Sequence, residues 1–144
     1  MGLYRSAELK KRERLLSEII HLLEQMAVQV RYRSLPLGEL FVHFENNIYI
    51  GRVLEKAKEQ NWRDAWNTAA KCFSELHSED IKILINIGNA LGGSDTAGQV
   101  AMLELNKNLL TARLKEASES TAKKGAMYRS VGFFSGLGLA IIVI

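Results

Sequence analysis

Between Leu9 and Val30 a large apolar residue returns at every seventh position, Leu9, Leu16, Leu23 and Val30, with Ile19 and Met26 between them. A strand cannot use this spacing, because its side chains alternate faces with a period of two, whereas a helix gathers all six onto one stripe. Leu15, Ile20, Leu22 and Ala27 widen that stripe. Residues 6 to about 31 are therefore predicted to form a long amphipathic helix that must bury one face against other helices. Nothing later in the chain works against this start, since its 144 residues contain a single proline, Pro36. A chain of this length buries roughly two thirds of its unfolded surface in one core. The expected fold class is all-α.

Each further helix has its own start and stop signals. In "SLPLGELF" Pro36 suits the first turn of a helix, where its missing N–H would be unpaired anyway, and Leu37, Leu40, Phe41 and Phe44 share a face. "IYIGRVLEKAKEQ" follows with Ile50, Val53, Leu54 and Ala57. Asn61 is the predicted cap of "WRDAWNTAAKCFSEL", with Asp64 near its positive end and Trp62, Trp66, Ala69, Phe73 and Leu76 along one side. Ser78, Glu79 and Asp80 open a fifth helix, which runs to a stop at Gly92 and Gly93. From Ser94, read as a cap, the last helix is predicted to exceed roughly forty residues. Met102, Leu105, Leu109 and Ala112 line one of its edges, and Val100, Leu103, Leu110, Leu114 and Ala117 the other. Its apolar face thins after Leu114, and Gly125 offers a bend. The expected architecture is an antiparallel bundle of about six helices over residues 1–129, whose long C-terminal helix runs into an apolar membrane-type segment at 130–144.

The net charge of +3, from 19 Lys and Arg against 16 Asp and Glu, is too small to demand a polyanionic partner. Its distribution is more informative. Arg5, Lys10, Lys11, Arg12 and Arg14 crowd the start, and Arg113, Lys115, Lys123, Lys124 and Arg129 precede the end. Lys10 to Arg14 are either a solvated helix face or a surface attracted to anionic lipid headgroups at about 1 kcal/mol per residue, and the second reading is preferred. Only Arg63 and Lys71 lie near the aromatic stripe, so a nucleic-acid stacking surface is not expected. A soluble basic module contacting nucleic acid stays as the rival reading.

Catalytic candidates are thin. His21, His43 and His77 fall on different predicted helices, and Cys72 and His77 are too poorly phased to act together. Cys72, beside the aromatic stripe, is read as a buried inert thiol. "LGGSD" lacks the lysine and spacing of a phosphate-binding loop. No catalytic residue, metal site or cofactor is expected, and the chain is not read as an enzyme.

The last stretch, "SVGFFSGLGLAIIVI", carries no charge after Arg129. Its 14 residues from Val131 make roughly 21 Å of helix against a hydrocarbon core of about 30 Å. It is a buried core helix, an interfacial segment, or the start of a transmembrane helix. The lack of any polar face favours the last. Gly132, Gly136 and Ala140 recur every four residues, the small-residue spacing that lets membrane helices approach closely, and Tyr128, Phe133 and Phe134 suit an interfacial belt. Lys123, Lys124 and Arg129 before the run put the preceding domain in the cytoplasm by the positive-inside rule. At the other end, "MGLYRSAELKKRER" has the pattern of an exit from an earlier membrane helix.

"GNALGGSDTAGQ", together with "PLGEL", "WRDAW" and "YRSVGFFSGLGLAIIVI" in that order, resembles the stage III sporulation protein AB family of endospore-forming bacteria. The similarity covers almost the whole chain and is strongest from Ile81 to Ile144. It implies a helical cytoplasmic domain between two membrane helices, similar to the cytoplasmic domains of the inner-membrane platform protein of type II secretion and type IV pilus systems. It further implies work in the channel between mother cell and forespore, in the membrane on the mother-cell side. The implied partners are a secretion-type ATPase (stage III sporulation protein AA), other channel subunits, the lipid membrane and further copies of the chain, without nucleic acid. Gly88, Leu91, Gly92, Asp95 and Gln99 match the family pattern position by position. From the residues alone, Gly92 and Gly93 make a tight interhelical turn and Asp95 sits in the first turn of the next helix, favouring its dipole. Gln99 lies one turn on, within reach of Asp95 or the turn backbone. The block is either a structural corner, the preferred reading, or a docking surface for the ATPase or a neighbouring subunit.

Overall fold

In a computed structural model of the chain, the backbone is described over residues 2–33 and 36–126, and the side chains over residues 7–33 and 36–119. The described residues form six α-helices and no strand: α1 (Gly2–Arg33), α2 (Leu37–His43), α3 (Ile48–Lys56), α4 (Trp62–Ala70), α5 (Ser78–Ala90) and α6 (Thr96–Ala126). The all-α bundle read from the periodicity is the observed fold. No described helix is long and apolar enough to cross a membrane. The segment 130–144, with Gly132, Gly136 and Ala140, lies outside the described residues, as do Arg129 and the side chains of Lys123 and Lys124.

The seven-residue stripe of α1 is the spine of the core. Leu15, Leu16, Ile19, Leu22, Leu23, Met26 and Ala27 are all buried, at roughly 2 kcal/mol for each large side chain removed from water. α1 lies along α6, and the two are antiparallel. Arg12 and Arg113 reach one carboxylate near one end, while Lys107 pairs with Glu24 at 3.6 Å and Arg31 with Glu104 at 3.5 Å toward the other. The shorter helices fill the remaining side of the stripe, α3 on α4, α4 on α5 and α5 back on α6.

Phe41, Tyr49, Trp66 and Phe73 are interior. The Trp66 ring stacks on Phe41 at 5.8 Å between centroids and meets Tyr49 edge-on at 4.8 Å, while Phe73 stacks on Tyr49 at 5.8 Å. Their polar atoms are satisfied in place: Trp66 Nε1 donates to the Leu84 carbonyl at 2.7 Å, and the Tyr49 hydroxyl donates to the Trp66 carbonyl at 2.6 Å. Burial, followed by the nearby Cys72, pushes the Tyr49 hydroxyl pKa well above its ordinary value.

Several local expectations are corrected. α4 stops at Ala70 rather than running to Leu76, because Lys71 and Cys72 turn their N–H groups to the Thr68 and Ala69 carbonyls. Phe73 and Leu76 are still buried, but from the connecting turn. Cys72 is exposed on that turn, so the buried-thiol reading fails. Pro36 sits one residue before α2 as its cap, in extended backbone. Ser78 opens α5 as expected, with His77 before it as the cap. Asn61 does cap α4, accepting the Asp64 N–H at 2.8 Å. On α6 the edge of Val100, Leu103, Leu110 and Ala117 faces the core, whereas Leu105 and Leu109 on the other edge are exposed.

Candidate functional site

The glycine corner is built by the turn between α5 and α6. Leu91 ends α5, its N–H on the Ile87 carbonyl and its side chain buried. Gly92 then takes φ of 76°, a left-handed conformation that costs a residue with a Cβ about 1 kcal/mol or more. Gly93 returns its N–H to the Ala90 carbonyl at 3.1 Å. Asp95 lies just before α6 rather than in its first turn: its Oδ1 accepts the Gly98 N–H at 2.8 Å, and its carbonyl accepts the Gln99 N–H. This is capping geometry, with the carboxylate at the positive end of the helix dipole.

Gln99 closes the corner. Its Oε1 accepts the Gly92 N–H at 3.0 Å, and its Nε2 donates to the Ala90 carbonyl at 3.0 Å and to Ser94 Oγ at 2.9 Å. Ser94, expected as the cap, is instead a partner of this amide. Leu91, Gly92, Asp95 and Gln99 are thus one unit. Gly88 belongs to another contact, where α5 crosses α4: a Cβ there would lie 2.6 Å from Trp66 Cδ1 and collide with Asn67 Oδ1. Of the five predicted positions, Asp95 and Gly92 are exposed, while Gly88, Leu91 and Gln99 face inward.

A second cluster escaped the sequence reading. Asp80 is fully buried and accepts from Arg12 Nε at 2.8 Å and Nη2 at 3.1 Å, from Arg113 Nε at 3.1 Å, and from the His77 N–H at 2.9 Å. Arg113 Nη1 also holds Glu116 at 2.9 Å. One carboxylate ties α1, α5 and α6 together. Burial works against its charge, yet the bonds from Arg12, the His77 N–H and Arg113 outweigh it and hold its pKa below the ordinary value. Burial, then Arg12, lowers the pKa of His77, with Asp80 opposing and Arg113 adding to the effect. Arg12 is therefore separated from the basic surface to which the sequence assigned it, because its charge is spent inside the fold. Lys10, Lys11 and Arg14 remain exposed. The one legible signal was the phase of Arg12, which falls on the apolar stripe of Leu16, Ile19 and Leu23.

Among the described residues no group of three or more His, Cys, Asp or Glu is placed to hold a metal ion. Trp66 and Phe73, which a nucleic-acid stacking surface would display, are buried.

Comparison with known proteins bears on the same residues. The family model described as Stage III sporulation protein AB matches residues 1–144, the glycine corner and the apolar end included. Stage III sporulation protein AB of Bacillus subtilis (strain 168) is 28% identical over 121 residues, 83% of this chain and 66% of that relative. The chain thus spans just under two thirds of the curated relative's length. No solved structure matches the chain significantly. With the family pattern running from the α1 spine through the corner that Gln99 closes, the chain belongs to the stage III sporulation protein AB family, and its role is in sporulation.

Proposed function

We propose that this chain is the helical part of a membrane-anchored platform, which receives a secretion-type ATPase and holds it at a channel between mother cell and forespore. The observation that carries the reading is directional. α1 begins and α6 ends at one end of the bundle, and the glycine corner lies at the other. A helix of 31 residues such as α6 is roughly 46 Å long at 1.5 Å per residue. An apolar run entering a bilayer after residue 130 would hold the α1 start near the headgroups and leave the corner far out in the cytoplasm.

Lys10, Lys11, Arg14 and Lys115 are exposed at the membrane-facing end, among Glu8, Glu13 and Glu116. Their lipid attraction is accordingly modest, and the apolar run supplies the anchor. The domain itself does no chemistry in this reading, and its work is interaction driven by the partner's nucleotide hydrolysis.

Asp95 is the member of the corner that a partner can reach while the turn stays intact. Asp95→Asn keeps an oxygen for the Gly98 N–H and removes the charge. The expected result is an unchanged melting temperature and weaker co-purification with the cognate ATPase. Undiminished co-purification counts against docking at the corner. Flotation of the full-length protein with anionic vesicles tests the anchor separately, and protein left at the bottom of the gradient in low salt rejects it.

A further inference from the structure

The buried network around Asp80 lies where the hydrophobic core runs out. Toward the start of α1 and the end of α6, the core cluster stops at Leu15 and Leu110. Leu9 and Leu114 beyond them are only partly buried, and Ala117, though buried, offers a single methyl. Here the Asp80 carboxylate is saturated. Its Oδ1 accepts from Arg12 Nη2 and Arg113 Nε, and its Oδ2 from Arg12 Nε and the His77 N–H. The last of these bonds ties the carboxylate to the backbone of the turn that starts α5. It is therefore a fixed post, on which each long helix hangs one guanidinium.

We propose that the Asp80 network is a clasp, which fixes the separation and relative height of α1 and α6 at the end where they leave the core, with α5 as the reference. At the corner end the chain itself sets this alignment, since a short link joins Arg33 to Leu37 and a glycine turn joins α5 to α6. At the opposite end no turn joins α1 or α6 to a neighbour among the described residues, so side chains have to set it. Apolar contacts are non-directional and let one helix tilt or shift on another. A guanidinium fork on a carboxylate fixes both distance and angle. A displacement of one turn takes Arg12 out of reach of Asp80 and leaves both charges buried and uncompensated.

Cohesion alone accounts poorly for such a network, because apolar side chains of similar volume often hold a fold as well or better. What buried charges add is a single permitted alignment. Glu116 steadies the arrangement from outside, holding Arg113 Nη1 at 2.9 Å. The clasp is a property of the bundle and stands without the platform reading; on that reading, the two helix ends it aligns are those that approach the bilayer.

Distances between spin labels on the full chain, in one detergent and a Cys72→Ser background, test the clasp. Labels at Lys11→Cys and Lys115→Cys, both exposed, report the clasped end, and labels at Tyr32→Cys and Ala101→Cys the corner end. The test exchange is Arg12→Met with Asp80→Leu and Arg113→Met, which removes the network without stranding a buried charge, Glu116 being exposed. The expected result is a melting temperature near the native one, an unchanged separation at the corner end, and a clasped-end distribution widened by roughly 5 Å, the rise of one helical turn. A clasped-end separation as sharp as the native one overturns the proposal. So does equal widening at both ends, which makes the network general cohesion. Should the triple exchange not fold, Arg12→Lys decides, since it keeps the charge and gives up the fork. It is expected to widen the clasped end alone, by less, and no widening there overturns the proposal.

Discussion

Asp80 is buried and held by two guanidiniums and a backbone N–H. Removing one partner of a buried ion network leaves the others uncompensated, at a cost of about 3–5 kcal/mol. Asp80→Asn, which leaves the buried Arg12 guanidinium without its counter-charge and Arg113 with Glu116 alone, is expected to lower unfolding stability by that order in urea titration. The pH dependence follows from the two shifts. The folded pKa of His77 is lowered, so below about 6.5 the unfolded chain takes up a proton that the folded chain resists, and stability falls as the pH drops. The folded pKa of Asp80 is also lowered, so its contribution is complete above about 3.9 and disappears as the pH falls through the folded value. Both losses lie on the acid side. His77→Gln should remove the first and Asp80→Asn the second, as read by urea unfolding at a series of pH values. Gly92 and Gly93 make a matched pair. Gly92→Ala is expected to cost about 1 kcal/mol or more for its positive φ, and a few degrees of melting temperature. At Gly93 a Cβ meets the Ala90 carbonyl at an ordinary 3.4 Å, so Gly93→Ala should cost at most a few tenths of a kcal/mol.

At the scale of elements, the α5–α6 hairpin depends on one amide. Gln99→Ala removes acceptor and donors together, leaving the Gly92 N–H without its partner and the Ala90 carbonyl with the Gly93 N–H alone. At about 1 kcal/mol for each lost bond, the corner should loosen by roughly 2–3 kcal/mol. Hydrogen exchange ought to quicken at residues 90–99 and leave the middle of α1 protected. The α4–α5 crossing is limited by volume instead. Gly88→Ala places a methyl against Trp66 and Asn67, and overpacking of this kind costs about 1–3 kcal/mol. If the two changes destabilised equally and opened the same residues, corner and crossing would be one unit rather than two.

At the scale of the molecule, the described residues build one hydrophobic core within the six helices. Its buried residues run from Leu15 to Leu110, with Leu114 packed against them and Ala117 buried one turn beyond. Deleting residues 130–144 is accordingly expected to leave far-UV circular dichroism and the melting midpoint of the bundle nearly unchanged and to raise solubility. Unfolding on deletion would return those residues to the core. The antiparallel pairing of α1 and α6 divides the molecule by direction, with the start of α1 and the end of α6 on one side and the corner on the other.

Periodicity and breakers made the helices legible. A stripe at sevens needs a helix, Asn61 announces a cap, and a glycine pair announces a turn, because each of these is a local rule acting within a few residues. The family pattern was legible for the same reason, being carried by short contiguous blocks. What the sequence could not supply was long-range pairing. Arg12 and Asp80 are 68 positions apart, and nothing near either residue says that they meet. Cys72 looked buried because α4 was expected to run on to Leu76, beyond its end at Ala70, and Leu105 and Leu109 looked like core because a wide apolar arc does not reveal which edge has neighbours. By itself the sequence determined six helices, their order and the tight corner. Only the tertiary structure decided which charges are spent inside and which apolar face is left open, since both depend on which helices are brought side by side.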